Sequence, residues 1–198
     1  MSMHPGIAIV VLWGAWVLSW IAAAAWSNNT EKGVGLADAL RYRIPQLAGA
    51  ALLLVPAHGY RGPLRLWQVN WTGAWVCVAL VALGLGFCWW ARIHLGRLWS
   101  GAVTRKADHR VVDSGPYAIV RHPIYTGILL AIFATAAIKG TAYGVAGALL
   151  SLLGLWLKAR LEERWLSREL GAGAYEAYRR RVPMLLPFGP KASSDIQG

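Results

Sequence analysis

Gly115-Pro116-Tyr117-Ala118-Ile119-Val120-Arg121-His122-Pro123-Ile124-Tyr125-Thr126-Gly127 sets an arginine, a histidine and two tyrosines directly against the start of a long apolar run. A segment about to enter a membrane usually sheds such groups, so this stretch reads as a site as well as a helix entrance. Pro116 and Pro123 fix φ and lack an N–H, which suits a turn or a first helical turn but not a helix interior. Pro123 is therefore expected to open a helix through Ile124, Leu129, Ile132 and Phe133, with His122 at its lip.

The runs that follow decide the fold. Residues 124–138 and 142–157 are apolar and separated only by Lys139-Gly140-Thr141, so they are expected to form an antiparallel helical hairpin. Gly144, Gly147, Ser151 and Gly154 give its second arm a surface of small residues, which lets membrane helices approach closely. Beyond Leu157 the helical pattern continues to the glycines at 171 and 173, and a shorter helix carrying Tyr175 and Tyr178 leads to Arg181-Val182-Pro183.

Upstream, residues 7–26 form an uninterrupted apolar run of membrane-spanning length, with no Lys or Arg before it, and are read as a retained span rather than a signal peptide. Residues 44–57 make a shorter run that either crosses or re-enters, and 73–90 a clear span whose helix extends into water through Arg92 and His94. The chain thus reads as an all-α, polytopic membrane protein of about five spans with a cytoplasmic C-terminal helical region. Its expected divisions are residues 1–72 (amino-terminal spans and loops), 73–190 (core) and 191–198 (a disordered tail).

Composition agrees. Of 198 residues 57% are hydrophobic, too many for an ordinary soluble domain, and the net charge is +11. Most basic residues flank apolar runs, so lipid headgroups rather than nucleic acid are the expected polyanion. With the N-terminus outside, 17 of the 20 Lys and Arg residues fall on the cytoplasmic side and only Arg61, Arg65 and Lys139 outside. That orientation puts the sequon-like Asn28-Asn29-Thr30 in the cytoplasm, and it brings the 115–127 motif and the helix after Leu157 to one face. Cys77 and Cys88 share one apolar run and read as packing residues, not as a disulfide or metal pair. The 12 Trp residues read as interfacial belts.

Two adjacent carboxylates, Glu162 and Glu163, lie about one turn past a span, where an unpartnered charge is costly. Local ion pairs with Arg160 and Arg164 would explain them; so would a pocket shared with His122 for a ligand bearing positive charge and hydroxyls. His122 could equally cap its helix, and Arg121, Arg160 and Arg181 could bind lipid phosphate. His94 and His122 lack a supporting ligand pattern, so no metal or haem is expected. Gly84-Leu85-Gly86 follows no strand and is not a dinucleotide fingerprint; helix packing or a ligand against bare backbone remain.

From residue 84 to 188 the sequence resembles the isoprenylcysteine carboxyl methyltransferase family and, more distantly, the integral-membrane phospholipid N-methyltransferases. The resemblance rests on Leu95-Gly96-Arg97-Leu98-Trp99-Ser100, Gly115-Pro116-Tyr117, Arg121 to Gly127, Arg160-Leu161-Glu162-Glu163, Tyr175, Tyr178 and Arg181 to Phe188. It implies S-adenosylmethionine as cofactor, with Tyr117, His122, Pro123, Tyr125, Gly127, Glu162 and Glu163 around it, joined by Gly84 and Gly86 from the phospholipid branch. It also implies a lipid-like acceptor entering from the bilayer, such as a prenylcysteine-like carboxylate. Arg121, His122 and Arg160 are then the candidate catalytic residues: a guanidinium to orient a carboxylate, or an imidazole to deprotonate an amine. The family's eukaryotic members carry extra amino-terminal spans that have no counterpart here, which weighs against a prenylated protein. A phospholipid amine acceptor, an NADPH-dependent sterol-type reductase and a non-catalytic membrane scaffold are the competing expectations.

Overall fold

The computed structural model describes residues 3–24, 35–56, 62–96, 112–169 and 172–191. Among them lie seven helices: α1 (Pro5–Ala24), α2 (Leu36–Leu54), α3 (Trp71–Leu95), α4 (Pro116–Ile119), α5 (Pro123–Lys139), α6 (Ala142–Glu169) and α7 (Ala172–Arg181). The sequon, most of the basic linker after α3 and residues 192–198 fall outside the described residues. The chain is all-helical there, with one isolated β-bridge between Arg65 and Thr141. Helices α1, α3 and α6 are long and apolar enough to cross a membrane, and α5 is a shorter apolar helix. The protein is an integral membrane protein.

Each expected run lies in a helix, but α2 starts well before the apolar residues do. Its first half is amphipathic: Asp38 and Arg41 pair at 2.9 Å on the exposed side while Tyr42 is buried. Packing against α6 carries the helix through Pro45 despite the missing N–H. Gly49 faces Gly147 and Ser151, and Gly154 faces Gln46 and the Tyr42 carbonyl, so the expected small-residue arm of α6 meets α2.

Interhelix contacts fix the directions. His4 packs edge-on against Trp71 at the starts of α1 and α3, and Arg92 donates to the Ala23 carbonyl (3.0 Å) near their ends, so these two helices run parallel. Helix α5 returns antiparallel to α3 and α6 antiparallel to both α5 and α2. One end of the bundle is tied by Arg65 to the Lys139 carbonyl (3.0 Å), Lys139 to the Val55 carbonyl (2.6 Å) and Tyr143 to the Pro56 carbonyl (3.0 Å). Gly140 turns the α5–α6 hairpin there at φ 56°, where its N–H reaches the Ala136 carbonyl. The other end gathers α4, the start of α5, the end of α6, and α7.

The core between α1, α3 and α5 is built from Ile9, Val78, Val81, Leu85, Ala131 and Ala134. Cys77 is a buried free thiol in it, and Cys88, a second buried free thiol on α3, donates its Sγ–H to the Ile124 carbonyl at 3.2 Å. Not all tryptophans form belts. Trp13, Trp16, Trp20 and Trp89 make an aromatic ladder between α1 and α3, with Trp16 and Trp20 stacked at 4.7 Å. On α1 their i, i+3, i+7 spacing puts Trp13, Trp16 and Trp20 on one face, and that face meets a helix rather than the bilayer surface.

Candidate active site

The site forms where three chain segments that are distant in sequence converge. Gly115 adopts φ 57° and lets the chain fold over His94, whose ring a Cβ at Gly115 would strike. Pro116 starts α4 and Pro123 starts α5, each at the helical position that spares a missing N–H. Two of the three residues between the helices are held by the segment after α7. Arg121 N–H donates to the Pro183 carbonyl (2.9 Å), His122 N–H to Met184 (3.1 Å) and Thr126 Oγ1 to Leu185 (2.6 Å). Tyr178 Oη donates to the Tyr117 carbonyl at 2.7 Å, and burial pushes both tyrosine hydroxyls up, so they stay neutral.

Within this frame the charges interlock. Arg121 Nε donates to Glu163 Oε1 at 2.6 Å, and the same guanidinium reaches the Arg179 (2.9 Å) and Val182 carbonyls. Arg179 closes on the other oxygen of Glu163 at 3.4 Å and on Glu176 at 2.6 Å. His122 lies between the carboxylates, Nε2 3.2 Å from Glu163 Oε1 and Nδ1 3.5 Å from Glu162 Oε2. Tyr125 Oη donates to Glu162 Oε1 at 2.5 Å, and its ring stacks on His122 at 5.4 Å and 3°. Burial disfavours a charged imidazole, but the hydrogen bonds and charges of Glu162, then Glu163, outweigh it and hold His122 above the ordinary histidine range.

The two glutamates differ in access. The Glu163 side chain is 5% exposed and wrapped by two guanidiniums, whereas Glu162 is 18% exposed beside two aromatic rings. Glu163 therefore serves the frame, and Glu162 is the carboxylate that can accept a ligand's ammonium or hydroxyl. The inward face of α6 here is Leu155, Lys158, Ala159, Glu162 and Glu163, which places polar groups where the apolar half of the helix places core.

Most of the expected site residues come together, and five do not join the charge cluster. His122 uses its ring on the glutamates and makes no side-chain cap for α5. Tyr117 is buried and stacks on His94, which also bonds Ser114 at 2.9 Å. Gly84 and Gly127 face each other: a Cβ on Gly84 would sit 2.5 Å from the Gly127 carbonyl oxygen, and one on Gly127 would strike Gly84 in turn. Gly86 lies on the exposed face of α3 with nothing near it. Arg160 is exposed, with its guanidinium 5.3 Å from the Trp156 ring. Lys158 and Arg179, which the motif reading passed over, sit in the cluster instead. Lys158 precedes Glu162 by one turn, a spacing that marks it as a same-face neighbour.

Comparison with known proteins adds a lineage to this geometry. Residues 76–167 match the model of the isoprenylcysteine carboxyl methyltransferase (ICMT) family. A methanethiol S-methyltransferase 2 of Bradyrhizobium diazoefficiens is 35% identical over 134 residues, 63% of this chain and 51% of that protein. A protein-S-isoprenylcysteine O-methyltransferase of Schizosaccharomyces pombe is 34% identical over 106 residues, 50% of this chain and 43% of that one. A cobalt-zinc-cadmium resistance protein of Cupriavidus metallidurans is 32% identical over 122 residues, covering 60% and 54%. The chain spans about half the length of the curated relatives it matches.

Proposed function

We propose that the chain, whose residues 76–167 match the isoprenylcysteine carboxyl methyltransferase family model, is an S-adenosylmethionine-dependent methyltransferase of that family acting on a lipid-like acceptor that enters from the bilayer. The observation that carries this reading is the junction of His122 and Tyr125 with Glu162. A carboxylate with residual access beside two parallel rings suits a ligand that combines positive charge, hydroxyls and a flat heterocycle, and S-adenosylmethionine has all three. Glu162 would hold its polar groups; His122, Pro123 and Tyr125 would line it, with Tyr117 behind them. Gly84, Gly86 and Gly127 receive no such support, because two of them pack helices and one faces outward.

S-adenosylmethionine supplies an electrophilic methyl group on a sulfonium. The residues here have then to bind, orient and exclude water, since transfer between well-placed partners needs little else. Arg121 and Glu163 hold the loop before α5 against the end of α6, which fixes the spacing of His122, Tyr125 and Glu162. An anionic acceptor needs no base; an amine would need one, and since the two carboxylates favour the protonated form of His122, Glu162 is the remaining candidate. The excess of Lys and Arg at the site end supports a cytoplasmic opening, with the N-terminus outside.

The test is transfer of labelled methyl from S-adenosylmethionine into extracted membrane lipids and thiols by the full chain in nanodiscs. Label in an extractable product supports the reading, and absence of both transfer and calorimetric binding of S-adenosylmethionine defeats it.

A further inference from the structure

Arg121 and Arg160, the guanidiniums expected to meet an acceptor, are placed elsewhere: one is spent on Glu163 and two carbonyls, the other lies over Trp156 on the exposed face. Positive charge reaches the membrane side of Glu162 through Lys158, which is buried on α6 one turn nearer the apolar half of that helix. Its ammonium lies 3.9 Å from Glu162 Oε1, 5.2 Å from the Tyr125 ring and 5.8 Å from the Tyr42 ring. Tyr42 is itself buried, and it comes from α2, outside the segment that matches the family. Two aromatic faces from two helices thus hold one ammonium in place by cation–π attraction.

A fixed buried charge at this position discriminates. Charges a few ångströms apart interact far more in a protein interior than in water, so on its own side of Glu162 the Lys158 charge repels an approaching ammonium and attracts an anion, the reverse of what the Glu162 carboxylate offers beyond it. We infer that Lys158, held between Tyr42 and Tyr125, is a specificity-determining residue that selects an acceptor with an anionic reactive atom, a thiolate or carboxylate on an apolar body, over an amine. The inference rests on the methyl-transfer reading. In the step it serves, a lone pair on the acceptor's sulfur or oxygen forms the bond to the methyl carbon. The donor's carbon–sulfur bond breaks as that bond forms and leaves its electron pair on the donor sulfur. A carboxylate moves no proton; a thiol has already lost its own to water. The relatives named for S- and O-methylation fit such acceptors.

The test titrates octanoate, octanol and octylamine into the full chain in nanodiscs without methyl donor, subtracting empty discs. Wild type should bind octanoate more tightly than octylamine. Lys158→Met should weaken octanoate about tenfold, the scale of one charge-assisted contact, while octanol stays within about twofold and Lys158→Arg restores octanoate. S-adenosylmethionine affinity, titrated separately, reads the effect of Lys158→Met on Glu162 and should change less than octanoate affinity does. Unchanged octanoate binding, equal losses of octanoate and octanol, or a loss confined to S-adenosylmethionine would each overturn the assignment. Failure of wild type to bind S-adenosylmethionine would instead defeat the methyltransferase reading, and the octanoate comparison reads separately from it.

Discussion

Arg121 and Glu163 stand 42 positions apart in the chain and meet at 2.6 Å with side chains 4% and 5% exposed. Removing one member of such a pair leaves the other charged and buried, which typically costs about 3–5 kcal/mol. Arg121→Met should therefore lower thermal stability in detergent whether or not a ligand is present. Arg121→Lys should rescue little of it, because a single ammonium cannot serve Glu163 and the Arg179 and Val182 carbonyls together. A wild-type unfolding midpoint for Arg121→Met would remove the structural role.

Glu162 should behave in the opposite way. Glu162→Gln keeps an acceptor for Tyr125 but removes the charge that would meet a ligand's ammonium. S-adenosylmethionine affinity measured by calorimetry should fall about tenfold, in the range of a charge-assisted hydrogen bond, with a small change in melting temperature. Glu163→Gln should show the reverse pattern, a large loss of stability and a secondary loss of affinity. If the two variants behave alike, the division of labour between the carboxylates is wrong.

The raised His122 pKa makes stability fall with rising pH. Folding binds the imidazole proton more tightly than the unfolded chain does. The contribution is complete below the ordinary histidine value of 6.5 and is lost as pH climbs through the higher folded value. Melting temperature should decline from slightly acidic to mildly alkaline pH in wild type, and His122→Asn should flatten that decline. A wild-type midpoint that rises over this window would contradict the charged imidazole between Glu162 and Glu163.

The helices and half of the site were legible because their signals are local. Pro123 opening α5, the hairpin at Gly140 and the run of α6 past Leu157 each follow from residues a few positions apart. Charge counting brought the 115–127 motif and Glu162-Glu163 to one end without any contact information. What could not be read is which atoms bond across long separations. Nothing near Arg121 announces the Val182 carbonyl, and nothing near Tyr42 announces Lys158. The same limit hid the tryptophan ladder, since an aromatic residue at helical spacing has the same pattern whether it meets lipid or α3.

Gly84 and Gly86 separate packing from ligand binding most cleanly. Both belong to one short G-x-G, yet a Cβ on the first would fall 2.5 Å from the Gly127 carbonyl oxygen and 3.0 Å from the Ala131 nitrogen, while the second meets nothing within 4 Å. Backbone atoms cannot yield as a flexible side chain does, so Gly84→Ala must push α3 from α5 and should cost about 1–3 kcal/mol. That shift also moves Cys88 off the Ile124 carbonyl, next to Pro123 and Tyr125, so part of any loss of S-adenosylmethionine binding should follow the loss of stability. Gly86→Ala on the exposed face should be neutral or slightly stabilising, because alanine favours a helix by about 1 kcal/mol over glycine. Thermal midpoints and calorimetric affinities of both variants decide the matter. A Gly86→Ala that keeps its stability but loses cofactor affinity would return the motif to the cofactor and show that the exposed face of α3 is part of the site.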